Sequence, residues 1–183
     1  LMDVTDQASV DAVFATLERL DGLVNCAGIL RRVDEYDIDV FQRVIDVNLV
    51  GTMRCCLAAQ PLLAISKGSI VNMASMLSTF GGPLVPAYSA SKGGVSQLTK
   101  ALAGQWAKSG IRVNAVAPGW IETEMTQSLR DNPDRAEGIM ARTPMKRWGK
   151  TSEVGALVRW LLSKEASFIT GSVYPVDGGY LAM

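Results

Sequence analysis

Apolar residues along the chain follow two patterns, short buried runs and longer runs with helical spacing. The short runs predict strands at GLVNCAG (22–28), GSIVNMAS (68–75), IRVNAVAPG (111–119) and GSVYPVDGG (171–179). The helical spacing predicts helices over Val10–Leu20 with Thr5 or Asp6 as N-cap, Val40–Leu63, Tyr88–Lys108, and Ser152 as N-cap to about Leu162. Residues 123–143 are predicted to be irregular and partly helical.

Strands that alternate with long helices predict an α/β fold, a Rossmann-like, doubly wound parallel sheet with helices on both faces. No repeat, low-complexity segment or linker divides the sequence, so residues 1–183 are expected to form a single domain. Two of the predicted helices carry more apolar residues than one sheet face needs. The surplus residues are Met53, Leu57, Leu62, Leu98, Leu102 and Trp106.

Charge and composition narrow the classes of function. Lys+Arg and Asp+Glu both number 18, so the net charge is zero, which argues against broad binding to nucleic acid or anionic lipid. No signal peptide and no long uncharged apolar run stands out, so a membrane partner is not expected. The three cysteines, Cys26, Cys55 and Cys56, form no CxxC pair. They are expected to be free thiols of a cytoplasmic protein, with no metal site.

The sequence contains no histidine. Ser-His and Cys-His catalysis and histidine-ligated metals are therefore excluded, and proton chemistry must use Tyr, Lys, Asp, Glu or Cys.

The stretch PAYSASKGG (86–94) places Tyr88 and Lys92 four residues apart. On a helix this spacing puts both side chains on one face. An ammonium group beside a phenol favours the tyrosinate and lowers the tyrosine pKa, which would make Tyr88 a useful acid/base near neutral pH. The ordinary alternative is a half-buried ring beside a solvated amine.

Other candidate residues stand where predicted elements end. Ser75 ends an apolar strand at the edge of the sheet where α/β proteins bind ligands, and its hydroxyl could donate to a substrate carbonyl. Asn48 lies inside a predicted helix, where asparagine is unfavourable. Ordinary structural hydrogen bonding is the alternative for both. The loops NCAG (25–28) and PGWIET (118–123) contain small or turn-forming residues that let a ligand approach the backbone.

Together these residues resemble the short-chain dehydrogenase/reductase family over the whole length of the chain. Ser75 stands 13 positions before Tyr88, as in the family's active site. The matching motifs are Asn25-Cys26-Ala27-Gly28, similar to NNAG with Cys as its second residue, Asn48, Ser75, the YxxxK of Tyr88–Lys92, Pro118-Gly119 with Thr123, and Asp177-Gly178-Gly179.

The resemblance implies an oxidoreductase that uses NAD or NADP. Tyr88 would be the acid/base, Lys92 would lower its pKa and hold the nicotinamide ribose, Ser75 would polarise the carbonyl, and Asn48 would anchor a water. Cofactor contacts are implied for Asp3, Val4, Asn25, Ala27, Gly28, Tyr88, Lys92, Pro118, Gly119, Ile121 and Thr123. The resemblance also implies that helices 40–63 and 88–108 pair in a homodimer, and that the last helix and strand complete a homotetramer.

The family's glycine-rich TGxxxGxG loop does not occur in the sequence. We expect that a βαβαβ half of roughly fifty to sixty residues precedes Leu1, because Asp3 matches a family position beside the adenine. Without that half, the GLVN strand would be an unpaired sheet edge, and residues 1–183 alone would bind either cofactor no tighter than about millimolar.

The substrate is expected to be an alcohol/ketone pair. Segments such as GGPLVPAYSASKGGV and VDGGYLA resemble sugar-acid dehydrogenases of the 2-keto-3-deoxygluconate 5- and gluconate 5-dehydrogenase type. Arg31, Arg32 and Arg147 could bind a carboxylate, or could be solvated surface residues. Alternatives are a 3-oxoacyl-carrier-protein reductase, a non-catalytic remnant or assembly subunit, and, less favoured, a lyase or epimerase.

Overall fold

Four parallel strands form the centre of the molecule. The computed structural model describes residues 1–183. Its strands are Gly22–Asn25 (β1), Ser69–Met73 (β2), Arg112–Pro118 (β3) and Val173–Val176 (β4), in the spatial order β1-β2-β3-β4. All neighbours are parallel, so the carboxyl ends of the strands share one edge of the sheet. β1 pairs with β2 alone and forms a sheet edge, as the sequence predicted.

Helices cover both faces of this sheet, which confirms the doubly wound α/β prediction. They are Gln7–Phe14 (α1), Ile38–Ile45 (α2), Gly51–Ser66 (α3), Pro86–Trp106 (α4), Gln127–Arg130 (α5), Pro133–Arg142 (α6) and Thr151–Leu162 (α7). Successive residues of a strand point to opposite faces. Ile70 of β2 accordingly packs with α3 and α4, whereas Val71 packs with α7.

One helical path runs from Ile38 to Ser66. α2 passes through a π-helical segment, Asp46–Val50, directly into α3. The sequence predicted one helix over Val40–Leu63, and the structure keeps that continuity but widens one turn. A π-helical turn inserts an extra residue into the helix and is frequent at functional sites. Asn48 lies within it.

The same path, Ile38–Ser66, is long and apolar enough to cross a membrane, with a mean hydropathy of 1.4 in its most apolar window. Core helices of water-soluble proteins meet the same criterion of length and composition. Here Cys56, Ala59 and Leu63 are buried against the sheet in the largest apolar cluster. These contacts are those of a core helix.

Two predicted helix boundaries are wrong. α1 ends at Phe14, not Leu20, because Thr16 donates both its N–H (3.2 Å) and its hydroxyl (2.7 Å) to the Val13 carbonyl. α7 begins at Thr151, with Lys150 rather than Ser152 as N-cap. The Glu153 carboxylate accepts the Lys150 N–H at 2.7 Å and starts the helix earlier.

The predicted surplus of apolar residues is only partly correct. Leu102 and Trp106 are buried in the core between α3, α4 and the sheet, and Met53 and Leu98 pack against that core. Leu57 is 53% exposed. The end of α4 lies over the sheet, so its last turns belong to the core rather than to a free face.

Candidate active site

Ser75, Tyr88 and Lys92 come together at the carboxyl edge of the sheet. Ser75 lies two residues past the end of β2, and Tyr88 and Lys92 lie on successive turns at the start of α4. The Lys92 Nζ donates a 2.7 Å hydrogen bond to the Met73 carbonyl and lies 5.5 Å from the centroid of the Tyr88 ring. The structure therefore joins three side chains that the sequence singled out.

Lys92 is a cation held inside the protein. It is 4% exposed, and its buried position lowers the pKa of its ammonium group to about 8, partly opposed by the nearby Cys26 sulfur. The physical cause is the loss of hydration, which disfavours the charged form. A lysine with this pKa can exchange a proton close to neutral pH, unlike an ordinary surface lysine.

The pKa of Tyr88 is raised, not lowered. Burial of the phenol is the largest cause, a hydrogen bond with Ser75 acts in the opposite direction, and the Glu35 carboxylate raises it further. The expected net shift towards neutral pH is therefore not found, while the effect of Lys92 on the Tyr88 pKa stays a prediction. The ammonium lies over the ring and is bound to the Met73 carbonyl, while desolvation acts on the phenolate directly.

Asn48 joins the loop after β1 to helix α4. It is fully buried, its Oδ1 accepts the Ile29 N–H (2.8 Å), and its Nδ2 donates to the Ile29 carbonyl (2.9 Å) and the Ser91 hydroxyl (3.0 Å). Ser91 in turn donates to the Tyr88 carbonyl at 2.8 Å. Both N–H donors of the amide are used within the protein. The water-anchoring role implied by the family resemblance stays a prediction.

Glu35 is a buried site residue that sequence reasoning missed. It is 1% exposed, its Oε1 accepts the Arg31 N–H and its Oε2 accepts the Tyr88 N–H, both at 2.9 Å. It thereby connects the loop after β1 to the first turn of α4. In the sequence it stands in the charged run RRVDEYD (31–37), which is typical of a solvated loop and gave no signal of burial.

The NCAG loop passes close to this cluster. A Cβ atom at Gly28 would lie 3.4 Å from the Asn48 Oδ1 and 3.6 Å from the Lys92 Nζ. Asn25 is buried and its Nδ2 donates to the Asn72 Oδ1 at 2.9 Å, so its side chain supports the end of β1. Ala27 is exposed. These positions offer backbone rather than side-chain groups to a ligand.

Asp3 and Val4 are held at the N-terminal segment beside the long helical path. The Asp3 carboxylate accepts the Thr5 N–H (2.8 Å) and hydroxyl (2.7 Å), and these two bonds lower the pKa of Asp3. The Val4 carbonyl accepts from Arg54 at 3.1 Å, and a Cβ atom at Gly51 would lie 2.8 Å from the Val4 side chain. Val4 is thus fixed against the start of α3, and Asp3 is held by its own turn.

The loop after β3 meets the loop after β4 at close range. The Gly119 N–H donates to the Val176 carbonyl at 3.0 Å, and a Cβ atom at Gly119 would lie 2.7 Å from the Asp177 Cα. Only glycine fits there without a backbone shift. Ile121 is buried in the core cluster under α7, and Thr123 is the N-cap of the short 3₁₀ turn that follows. Pro118 ends β3.

The three arginines considered for carboxylate binding differ in their surroundings. Arg147 forms a bidentate pair with Glu153, at 2.6 and 2.9 Å, and its hydrogen bonds lower the pKa of Glu153 to about 2. Arg31 is exposed. Arg32 is half-buried; burial and the nearby Arg135 cation lower its pKa, and the Glu35 carboxylate acts in the opposite direction. An anionic ligand would relieve that repulsion, which distinguishes Arg32 from the other two.

Comparison with a family model and with curated proteins gives consistent matches. The family model described as Enoyl-(Acyl carrier protein) reductase matches residues 1–181. The chain is 42% identical over 167 residues to 2-dehydro-3-deoxy-D-gluconate 5-dehydrogenase of Bacillus subtilis (strain 168), covering 90% of this chain and 66% of that protein. It is 41% identical over 186 residues to galactitol 2-dehydrogenase (L-tagatose-forming) of Cereibacter sphaeroides, covering 97% and 73%.

Solved structures agree with these matches. The crystal structure of a gluconate 5-dehydrogenase from Burkholderia cenocepacia J2315, in complex with NADP and tartrate, has a TM-score of 0.95 at 34% identity. The alignment covers 100% of this chain and 74% of that chain. Residues 1–183 therefore span 66% to 74% of the length of these two proteins, the curated enzyme from Bacillus and the solved structure from Burkholderia.

Proposed function

This chain belongs to the short-chain dehydrogenase/reductase family, and we propose that its protein transfers a hydride between NAD or NADP and an alcohol/ketone substrate. The observation that carries the proposal is the convergence of Ser75, Tyr88 and the buried Lys92 at the carboxyl edge of the sheet. Relatives named as dehydrogenases, and a related structure with bound NADP, support the same class of reaction.

The residues around Lys92 fit the nicotinamide end of a dinucleotide. Gly28 lies beside Asn48 and Lys92, where the absence of a side chain would let a ligand approach the backbone closely. Gly119 holds the loop after β3 against Asp177. Lys92 would bind the ribose, and Pro118, Gly119, Ile121 and Thr123 would bind the nicotinamide end. Asp3, Val4, Asn25 and Ala27 would contact the rest of the cofactor. The bound cofactor would supply the carbon that gives or accepts the hydride.

Tyr88 is proposed as the acid/base and Ser75 as the donor that polarises the substrate oxygen. A phenol whose pKa is raised keeps its proton at neutral pH, which suits reduction of a ketone. In that direction the carbonyl carbon gains a hydride and the carbonyl oxygen gains the Tyr88 proton. Lys92, with a pKa of about 8, would supply a replacement proton.

A sugar acid is the substrate class we propose. Two features support it, the half-buried Arg32 beside Arg135 and relatives named for gluconate derivatives. Arg147 is less suited to carboxylate binding because Glu153 already occupies both of its terminal nitrogens. The 3-oxoacyl-carrier-protein reductase and the non-catalytic remnant are not favoured by these relatives, nor is a lyase or epimerase by the Ser-Tyr-Lys set.

Steady-state assays of the intact protein with NAD and NADP test this proposal. We expect turnover with gluconate or 2-dehydro-3-deoxy-D-gluconate, and Arg32→Gln should raise KM for these acids but not for neutral galactitol. Arg31→Gln, an exposed neighbour, is the matched control. A preference for an acetoacetyl thioester, or no oxidation or reduction of any alcohol or ketone, would contradict the proposal.

We also propose a single domain that assembles as a homodimer or homotetramer in the cytoplasm. One sheet joins all four strands, and the three cysteines are free thiols. Leu57 and Ile65 of α3 are 53% and 82% exposed, and Trp160 and Phe168 add exposed aromatic surface near the end of α7. Such surface supports contact with further copies. Sedimentation that gives a monomer at micromolar concentration would contradict the assembly.

A further inference from the structure

Glu35 is a buried carboxylate that forms no salt bridge, although the Arg32 guanidinium lies near enough to interact with its charge. The salt bridges of the structure join Arg19 to Asp21, Arg54 to Asp46 and Arg147 to Glu153. Burying a charge is costly unless hydrogen bonds compensate. The compensation here is two backbone N–H groups, one from the loop after β1 and one from Tyr88 itself.

The hydrogen bond from the Tyr88 N–H to Glu35 stabilises the start of α4, because of the position of Tyr88 in that helix. It is the third residue of α4, so its N–H is one of those that a helix leaves without an intrahelical partner. The N-cap residue, Val85, provides no side-chain hydrogen bond. Glu35 therefore caps this helix from a distant segment, and its negative charge interacts favourably with the helix N-terminus.

We propose that Glu35 is a positioning residue for the reaction, which fixes the first turn of α4, and with it the Tyr88 hydroxyl, against the loop after β1. This role rests on the proposed function of Tyr88. Catalysis depends steeply on such placement, since an error of about 1 Å can cost on the order of 10²-fold in rate. Asn48 and Ser91 hold the same turn of α4 from a second direction.

The charge of Glu35 has a second consequence. The groups that face Tyr88 are Glu35, Ser75 and Lys92. Cys26 lies beside Lys92, and Arg32, itself near Arg135, interacts with the charge of Glu35. Among them Glu35 is the one that adds to burial in raising the pKa of Tyr88, because a negative charge disfavours the phenolate. Removing this charge should move the titration of Tyr88 to lower pH, whereas a purely structural role would leave it in place.

The test compares Glu35→Gln and Glu35→Asp in the intact protein with Asp34→Asn, which removes an exposed charge from the adjacent position. Two readouts are independent. Ultraviolet titration of tyrosinate, taken as a difference from the Tyr88→Phe protein, gives the ionisation of Tyr88 without any substrate. The pH profile of kcat gives the catalytic effect.

In Glu35→Gln we expect Tyr88 to titrate at lower pH and kcat to fall about 10²-fold. Asp34→Asn should keep the wild-type kcat and the wild-type Tyr88 titration. Glu35→Asp keeps the charge but shortens the reach, so it should retain the wild-type titration and lose kcat. If Glu35→Gln does not fold, Glu35→Asp still tests the inference, because it should lose kcat while Tyr88 titrates as in wild type. Wild-type kcat and titration in either folded variant would overturn the inference.

Failure of the proposed function gives a different result. In that case wild type would show no turnover of any alcohol or ketone, while the Tyr88 titration would still shift between wild type and Glu35→Gln. A shift without turnover would therefore leave the Glu35–Tyr88 coupling standing and reject the dehydrogenase assignment.

Discussion

The two sides of the candidate site are built by different forces. On one side, the loop after β1, the helical path 38–66 and α4 are joined by buried side-chain hydrogen bonds of Asn48, Ser91 and Glu35. On the other, the loops after β3 and β4 are joined by close backbone contact at Gly119. Their further contacts include edge-to-face aromatic pairs of Trp120 with Trp148 and Tyr180 and backbone hydrogen bonds such as that from the Met145 N–H to the Gly178 carbonyl. The exposed pair of Arg147 and Glu153 lies nearby.

The two sides differ in how firmly their geometry is fixed. Buried hydrogen bonds are directional, and losing one partner leaves the other unsatisfied in a low dielectric. Aromatic contacts and solvated ion pairs tolerate rearrangement and are individually weak. Tyr88 and Lys92 lie on the directional side, where geometry is fixed. The other side, which we call the adaptable side, comprises the loops after β3 and β4, whose contacts leave them freer to rearrange.

Removal of the Tyr88 hydroxyl should have the largest effect. Tyr88→Phe keeps the ring and its packing but removes the proton donor, so kcat should fall by about 10²–10⁴-fold, with unfolding by denaturant unchanged. Tyr174→Phe on β4 is the matched control and should keep wild-type turnover. Activity of Tyr88→Phe within a few-fold of wild type would exclude Tyr88 as the acid/base.

Asn48→Ala tests how much the Asn48 amide contributes to the stability of the directional side. It leaves the Ile29 N–H and carbonyl and the Ser91 hydroxyl without this partner. The free energy of unfolding should fall by about 2–4 kcal/mol, measured by urea denaturation. Asn132→Ala removes an exposed helix cap of α6 and should cost only about 1 kcal/mol. If both variants lost the same free energy of unfolding, the buried bonds of Asn48 would hold the structure no more firmly than an exposed helix cap does.

Gly119→Ala tests a close backbone contact on the adaptable side. The new methyl group would lie 2.7 Å from the Asp177 Cα, so the two loops must separate, at a cost of about 1–3 kcal/mol in unfolding free energy. Gly138→Ala in α6 meets nothing within 4 Å and should be neutral or stabilising. Thermal unfolding of both proteins checks this. A wild-type unfolding temperature for Gly119→Ala would show that the two loops can separate without cost.

Arg147→Ala should have the smallest effect. Its hydrogen bonds lower the pKa of Glu153 to about 2 from an ordinary value of 4.5. A lowered folded-state pKa stabilises the protein above the ordinary value, and this contribution disappears as the pH falls towards 2. The difference between wild type and variant, measured by denaturation, should therefore be small at pH 7 and vanish near pH 2. Arg19→Ala, which breaks another exposed pair, should behave alike.

Local spacing explains what could be predicted. The alternation of strands and helices follows from runs of adjacent residues, so the α/β class and its parallel sheet were readable from the pattern. Tyr88 and Lys92 share a helix face because they are four residues apart, and Ser75 lies where its strand ends. The boundaries of α1 and α7 were wrong because the bonds of Thr16 and Glu153 to neighbouring backbone groups carry no periodic signal.

The sequence by itself determined the fold class and pointed to Tyr88 and Lys92 as candidate side chains, because the strand and helix patterns and this four-residue spacing depend on residues that are close along the chain. Only the tertiary structure decided how those side chains behave. Glu35 reaches Tyr88 across 53 positions and Asn48 reaches Ser91 across 43. Burial at that meeting point lowers the pKa of Lys92 and raises that of Tyr88. Hydration is lost only when distant segments pack together, so no local pattern can record it.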